Sequence, residues 1–342
     1  MLKNHPGSWT VVAALAFLTL GGCDTRQEVF FSGKTMGTTY HITVIGGFFN
    51  RVQGLAAKIE ERLAQINASM SVYQADSEIS RFNALARPGE PFPVSQDFLQ
   101  VMIVAEELHR LTAGAWDGTV APLVDLWGFG SKTDLKRVPT AAEIAQCRAT
   151  LGFDQILVSA DGYLVKRKPA VTLDLGSIAK GYGVDQIAEL IRANGFSDFL
   201  VEIGGEVFAA GLRRDGKQWR VGINRPEPAG PPDAVYTVVS LQEKALATSG
   251  DYRNFFEVDG VHYAHVIDPQ TGYPVANGVV SASVVSDTCT FADGLATALM
   301  VMGPGPGVAL VNRLEATECL IVVRHKDGRL TEFASEGFGG AD

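Results

Sequence analysis

Residues 171–210 read VTLDLGSIAKGYGVDQIAELIRANGFSDFLVEIGGEVFAA. A strand-like run at Val171–Asp174 leads into helical apolar spacing from Ser177 to Asn194, which Gly195 closes as a left-handed cap. The chain then returns as two consecutive strands, Phe199–Ile203 and Glu206–Ala210. Runs of strands interrupted by helices, without regular β-α-β winding, specify an α+β fold. We expect a single compact domain with mixed or antiparallel sheets and flanking helices.

The same signals continue outward on both sides. Upstream, strands are expected at Tyr40–Ile45, Gln155–Ser159 and Tyr163–Lys166. Val52, Leu55, Ile59, Leu63 and Ile66 give a helix from Asn50 to about Asn67. A second helix follows the Ser95 cap and ends near Gly114, and a third opens with the capping box Thr140-x-x-Glu143. Downstream come strands at Trp219–Ile223, Ala234–Leu241, Asn254–Val258, Val261–Ile267 and Val279–Val285. Helices near Asp287–Met302 and Val308–Leu314 follow, then strands at Cys319–Val323 and Leu330–Phe333. The Pro/Gly-rich stretch Arg225–Asp233 reads as a surface loop, because strand patterning resumes at once.

The chain has 342 residues, 46% hydrophobic and 20% charged, enough apolar material to exclude a disordered protein. Its net charge is −9 without a long basic run, which argues against a nucleic-acid partner. An acidic protein that takes a phosphate ligand needs a local cation or metal to hold it. The four cysteines, Cys23, Cys147, Cys289 and Cys319, form no metal-type cluster and are too few to suggest a disulfide framework.

The N-terminus carries its own message. Lys3 precedes the apolar run Val11–Leu20, which as a helix reaches only about 15 Å, half a bilayer core, and so reads as a signal peptide. Leu20-Gly21-Gly22-Cys23 resembles the bacterial lipobox, and Asp24 resembles the signal that retains such lipoproteins in the inner membrane. The resulting expectation is a signal peptide over 1–22, a lipidated Cys23, a tether over 23–32 and a domain over 33–335. That domain would face the periplasm from the inner membrane.

Three groups of residues suggest chemistry. Gly176, Gly181 and Gly183 lie where a strand enters a helix, a place where backbone N–H groups and the helix dipole can hold phosphate, with Lys180 about a turn inside. Close helix packing explains the glycines equally well, and a lysine there also suits a solvated surface. Asp293 and Thr297 are four apart on a helix and can offer hard oxygens to one Mg²⁺, although such pairs also form local hydrogen bonds. His262 and His265 should face opposite sides of a strand; His265 leads into the turn of Pro269 and Gly272, where an imidazole can serve as a general base or be structural.

Six blocks in order resemble the ApbE family of FAD:protein FMN transferases. They are Thr35–Thr38 (TMGT), Asp76–Asn83 (DSEISRFN), Trp116–Val120 (WDGTV), Leu173–Tyr182 (LDLGSIAKGY), His265–Gly272 (HVIDPQTG) and Ala292–Thr297 (ADGLAT). The resemblance implies that FAD is cleaved at its pyrophosphate and its FMN half joined to a threonine or serine of an acceptor protein, with AMP released. By the same resemblance FAD would lie against Met36, Tyr73, Ala115, Trp116, Asp117, Lys180 and Ile267. Mg²⁺ would be held by Asp293, Thr297 and the backbone carbonyl of Gly183, and His265 would deprotonate the acceptor hydroxyl. Tyr73 and Trp116 offer aromatic surface for flat rings, although either could be core. Gly176-Ser177 stands where relatives often have Gly-Gly, and alanine is frequent at the position of Gly183. The implied acceptors are flavoprotein subunits of membrane electron-transport complexes. Two other readings are an Mg²⁺-dependent FAD pyrophosphatase and a non-catalytic periplasmic flavin-binding lipoprotein.

Overall fold

The computed structural model describes residues 26–46, 52–130, 137–227, 234–251 and 255–339. The chain opens with the hairpin β1 (Gln27–Thr35) and β2 (Thr38–Gly46), then α1 (Leu55–Met70), α2 (Glu78–Asn83), β3 (Pro91–Pro93) and α3 (Gln96–Leu111). Next come α4 (Ala121–Leu126), α5 (Ala141–Arg148), β4 (Ile156–Ser159), β5 (Tyr163–Lys166) and α6 (Ala179–Ala193). The second half runs β6 (Asp198–Ile203), β7 (Glu206–Ala210), β8 (Trp219–Asn224), β9 (Val235–Leu241), β10 (Lys244–Gly250), β11 (Phe255–Val258) and β12 (Val261–Ala264). It ends with β13 (Val279–Ser286), α7 (Cys289–Met302), α8 (Pro304–Val311), β14 (Glu318–Arg324) and β15 (Leu330–Ala334).

The expected α+β class is the observed one. Eight strands form one sheet in the order β1-β2-β6-β7-β10-β13-β14-β15, and every pair of neighbours is antiparallel. Helices cover one face: Ile59, Leu63, Ile187 and Ile191 pack on β2 and β6, while Leu295, Leu299 and Met300 join Ala282 and Val284 of β13. The β8–β9 hairpin covers the other face, burying Trp219, Val239 and Leu241 against Val207, Leu246 and Val322. Covered on both faces, the interior strands β7 and β14 are buried almost throughout.

Several boundaries differ from expectation. Residues 27–32, assigned to a tether, belong to β1, an edge strand whose register is fixed by pairing with β2. The first helix begins at Leu55, after the left-handed Gly54 (φ 81°), and runs to Met70. Val171–Asp174 is irregular, not a strand, with Val171 and Leu173 buried: the Asn83 side chain holds both the N–H and the C=O of Leu173, at 2.7 and 2.8 Å, where a neighbouring strand would otherwise do so. The expected strand Val261–Ile267 ends at Ala264, leaving Ile267 in one isolated bridge to Pro274. Strand β10 was not expected, because the lysine, two alanines and glycine of Lys244–Gly250 (KALATSG) have low strand preference. The sheet supplies its reason to exist, since it lies between β7 and β13. Cys23 lies outside the described residues, within which no helix is long and apolar enough to cross a membrane.

Candidate active site

The first turn of α6 and the first two turns of α7 meet because Gly181 has no side chain. A Cβ there would lie 2.3 Å from the Cys289 carbonyl oxygen and 2.9 Å from the Asp293 Cβ. The close approach lets the Gly181 N–H donate to Asp293 Oδ2 at 3.0 Å, using one of the N–H groups that a helix N-terminus leaves free. Lys180 Nζ sits 3.4 Å from Asp293 Oδ1 and 2.9 Å from Glu206 Oε1 of β7. Thr297, one turn after Asp293, meets Ser249 of β10, with their hydroxyl oxygens 2.9 Å apart. Asp185, further along α6, fixes the start of α7 by accepting from the N–H groups of Cys289 and Thr290, both at 2.8 Å.

This group holds two buried carboxylates and one ammonium. Burial works against the Lys180 charge, but Asp293 and Glu206 outweigh it and hold its pKa above the ordinary lysine value. Burial, then the Asp293 charge, push the Glu206 carboxyl upward against the pull of Lys180. Glu206 Oε2 is buried and has no hydrogen-bond partner. A buried carboxyl oxygen without a donor is costly, and hard oxygens of this kind suit a divalent cation such as Mg²⁺. Among the described residues no three His, Cys, Asp or Glu side chains cluster as a metal cage. Mg²⁺ commonly uses few protein ligands and completes its shell with water and phosphate, so Asp293 and Thr297 suffice as side-chain donors. Gly183 lies within α6, where its carbonyl belongs to the helical hydrogen-bond ladder and retains one further lone pair for an ion.

The other anticipated residues divide by what their side chains do. Met36 occupies the β1–β2 turn with φ 48° and lies over Gly183, whose added Cβ would be 2.8 Å from Met36 Cε. Tyr73 stands 81% exposed after α1, so its ring is available to a ligand. Trp116 is not: it is buried in the core, edge-on to Phe153, with its indole N–H donating to Ser177 Oγ at 3.1 Å. Of the two roles its sequence left open, flat aromatic surface or core, its ring takes the core position. Asp117 turns its carboxylate inward to the Thr119 N–H and hydroxyl, at 2.7 and 2.6 Å, and Ala115 is likewise buried. Ile267 packs with Leu123, Trp127 and Phe256. Ala115–Asp117 and Ile267 could thus offer a ligand mainly backbone. His265 is half-buried just past β12, with its ring edge toward Phe129. Its loop is drawn to the Ala115–Asp117 segment by Gln270, whose side-chain amide donates to the Ala113 carbonyl at 2.6 Å. His262 instead packs on Phe255.

Glu206 and Ser249 were absent from the sequence-derived set. A Gly-Gly turn before an acidic residue was the one available signal for Glu206; Ser249 had none without its strand. The ApbE family model matches residues 36–321.

The chain belongs to the ApbE family. The FAD:protein FMN transferase of Vibrio cholerae is 43% identical over 331 residues, covering 96% of this chain and 97% of that protein. The transferase of the same name from Haemophilus influenzae is 39% identical, with 95% of each covered. The solved structure of the flavin transferase ApbE from Vibrio cholerae superposes with a TM-score of 0.83 at 42% identity, over 92% of this chain and 98% of that one. Flavinyl transferase ApbE from Pseudomonas stutzeri, in its apo form, gives 0.81 at 35%, covering 91% and 95%. The ApbE match spans the six sequence blocks almost entirely, from Met36 to beyond Thr297.

Proposed function

We propose that this ApbE-family chain is an FAD:protein FMN transferase. It moves the FMN half of FAD onto a threonine or serine hydroxyl of an acceptor protein through a phosphoester bond. The acceptor oxygen bonds to the FMN phosphorus, the bond from that phosphorus to the bridging pyrophosphate oxygen breaks, and AMP leaves with that oxygen. The observation that carries this reading is the buried Lys180–Asp293–Glu206 group, whose Asp293 lies one helical turn from Thr297.

Asp293 and Thr297 are suited to hold Mg²⁺, with the Gly183 carbonyl as the third donor of the proposed set; the bound ion supplies charge neutralisation to the pyrophosphate. Lys180 adds a positive charge for the same phosphates, steadied by Glu206. Met36 and Tyr73 border the flavin, and the backbones of Ala115–Asp117 and Ile267 line its remainder. His265 accepts the proton of the attacking hydroxyl, a general-base contribution of roughly 10²–10⁴-fold. We further propose that Cys23 carries a lipid anchor holding the enzyme at the periplasmic face of the inner membrane. Its acceptors there are flavoprotein subunits of membrane electron-transport complexes.

The test is incubation with FAD, Mg²⁺ and an acceptor bearing a candidate threonine, followed by intact mass analysis. A gain equal to FMN less water supports transfer. Free FMN and AMP with an unmodified acceptor would point to hydrolysis, and FAD binding without AMP release would point to a carrier.

A further inference from the structure

Strand β10 brings Ser249 to the helix that carries Asp293 and Thr297. Ser249 pairs with Ala282 of β13, and the neighbouring pair is Thr248 with Ser283. Successive side chains on a strand point to opposite faces. Thr248 accordingly spends its hydroxyl within the sheet, 2.8 Å from Ser283 Oγ, while Ser249 turns to α7 and meets Thr297 Oγ1 at 2.9 Å. A threonine hydroxyl has one proton and two lone pairs, so an oxygen that ligates a cation must send its proton elsewhere. On a helix that proton commonly goes to the carbonyl one turn back, which here belongs to Asp293. The Ser249 oxygen offers an acceptor on the side of β10 instead.

We infer that Ser249 is a positioning residue for the Thr297 ligand: it accepts the Thr297 hydroxyl proton and so turns the oxygen lone pairs toward the cation. The inference rests on the reading of Asp293 and Thr297 as the Mg²⁺ site. Ser249 carries no charge, so its influence on the ion passes through this hydrogen bond and not through a long-range field. Partners of metal ligands are typically worth 10- to 100-fold in metal affinity.

The experiment uses the full chain without FAD and Mn²⁺ as the probe, with bound ion followed by electron paramagnetic resonance. Asp293→Asn should abolish tight Mn²⁺ binding; equal binding by this variant and the parent overturns the metal reading itself. Ser249→Ala should weaken Mn²⁺ by roughly 10- to 100-fold. The pair Ser249→Thr and Ser249→Val isolates the hydroxyl at nearly constant shape: the threonine variant should hold Mn²⁺ more tightly by that factor. In a Thr297→Ala background, removing the Ser249 hydroxyl should cost nothing more. If Asp293→Asn loses the ion while the threonine and valine variants bind it equally, the role of Ser249 is refuted and the metal site stands. A Ser249 effect that persists undiminished without Thr297 refutes that role in the same way.

Discussion

Replacing Gly181 by alanine tests whether close approach of α6 and α7 builds the site. The added methyl would stand 2.3 Å from the Cys289 carbonyl oxygen, 2.6 Å from its carbon and 2.9 Å from Asp293 Cβ. Ordinary contact begins near 3.4 Å, so α7 must retreat by about 1 Å, and the opposing atoms are backbone that no rotamer can move aside. Asp185 pins the first turn of α7, which blocks relief by local fraying. Two energies compete: alanine favours a helix interior by up to about 1 kcal/mol, and overpacking costs about 1–3 kcal/mol. The second should win modestly in a thermal melt. The larger effect is on chemistry, because a displacement of about 1 Å in positioned groups can cost on the order of 10²-fold in rate. Transfer rate and melting temperature measured together separate the two effects. Parent-like transfer with a raised melting temperature would refute the close-approach requirement. Gly183→Ala is the control: its methyl meets the ends of Met36 and Ile203 at 2.8 and 3.2 Å, flexible atoms that can shift, so its loss should be much smaller.

Other outcomes follow from the same geometry. His265→Ala should slow transfer by roughly 10²–10⁴-fold while FAD binding, read by fluorescence quenching, survives. Trp116→Phe removes the donor to Ser177 from a buried ring and should cost about 1 kcal/mol in denaturant unfolding with little change in FAD affinity; a large affinity loss would restore a stacking role for Trp116. Hydrogen bonds from Arg62, helped by Tyr182, hold the Asp97 carboxyl below its ordinary 3.8 despite burial. A depressed folded pKa contributes stability above the unfolded value and loses it as pH falls through the folded one. Asp97→Asn should therefore destabilise the protein at neutral pH by about 1–3 kcal/mol, and the gap should close in acid-unfolding curves below pH 3.8. A constant gap across that range would contradict the ion pair.

Local signals carried far where the cause was local. The Ser95 cap and the Thr140–Glu143 box open α3 and α5 as expected, because capping is settled within four residues. Gly195 likewise ends the α6 region with φ 87°. The signals failed where a distant partner set the outcome. Asn83, ninety positions away, takes over the backbone bonds of Leu173 and denies it a strand. A sheet position between β7 and β13 makes a strand of the weakly patterned Lys244–Gly250.

By itself, the sequence determined the α+β class, the family resemblance, and the placing of Asp293 and Thr297 one turn apart, since helical periodicity and ordered motifs are properties of neighbouring residues. Only the tertiary structure decided that Glu206 joins Lys180, that Ser249 holds Thr297 and that Trp116 belongs to the core. Burial and pairing depend on which segments meet, and a side chain's partner across a sheet or between two helices is written in no single stretch of chain.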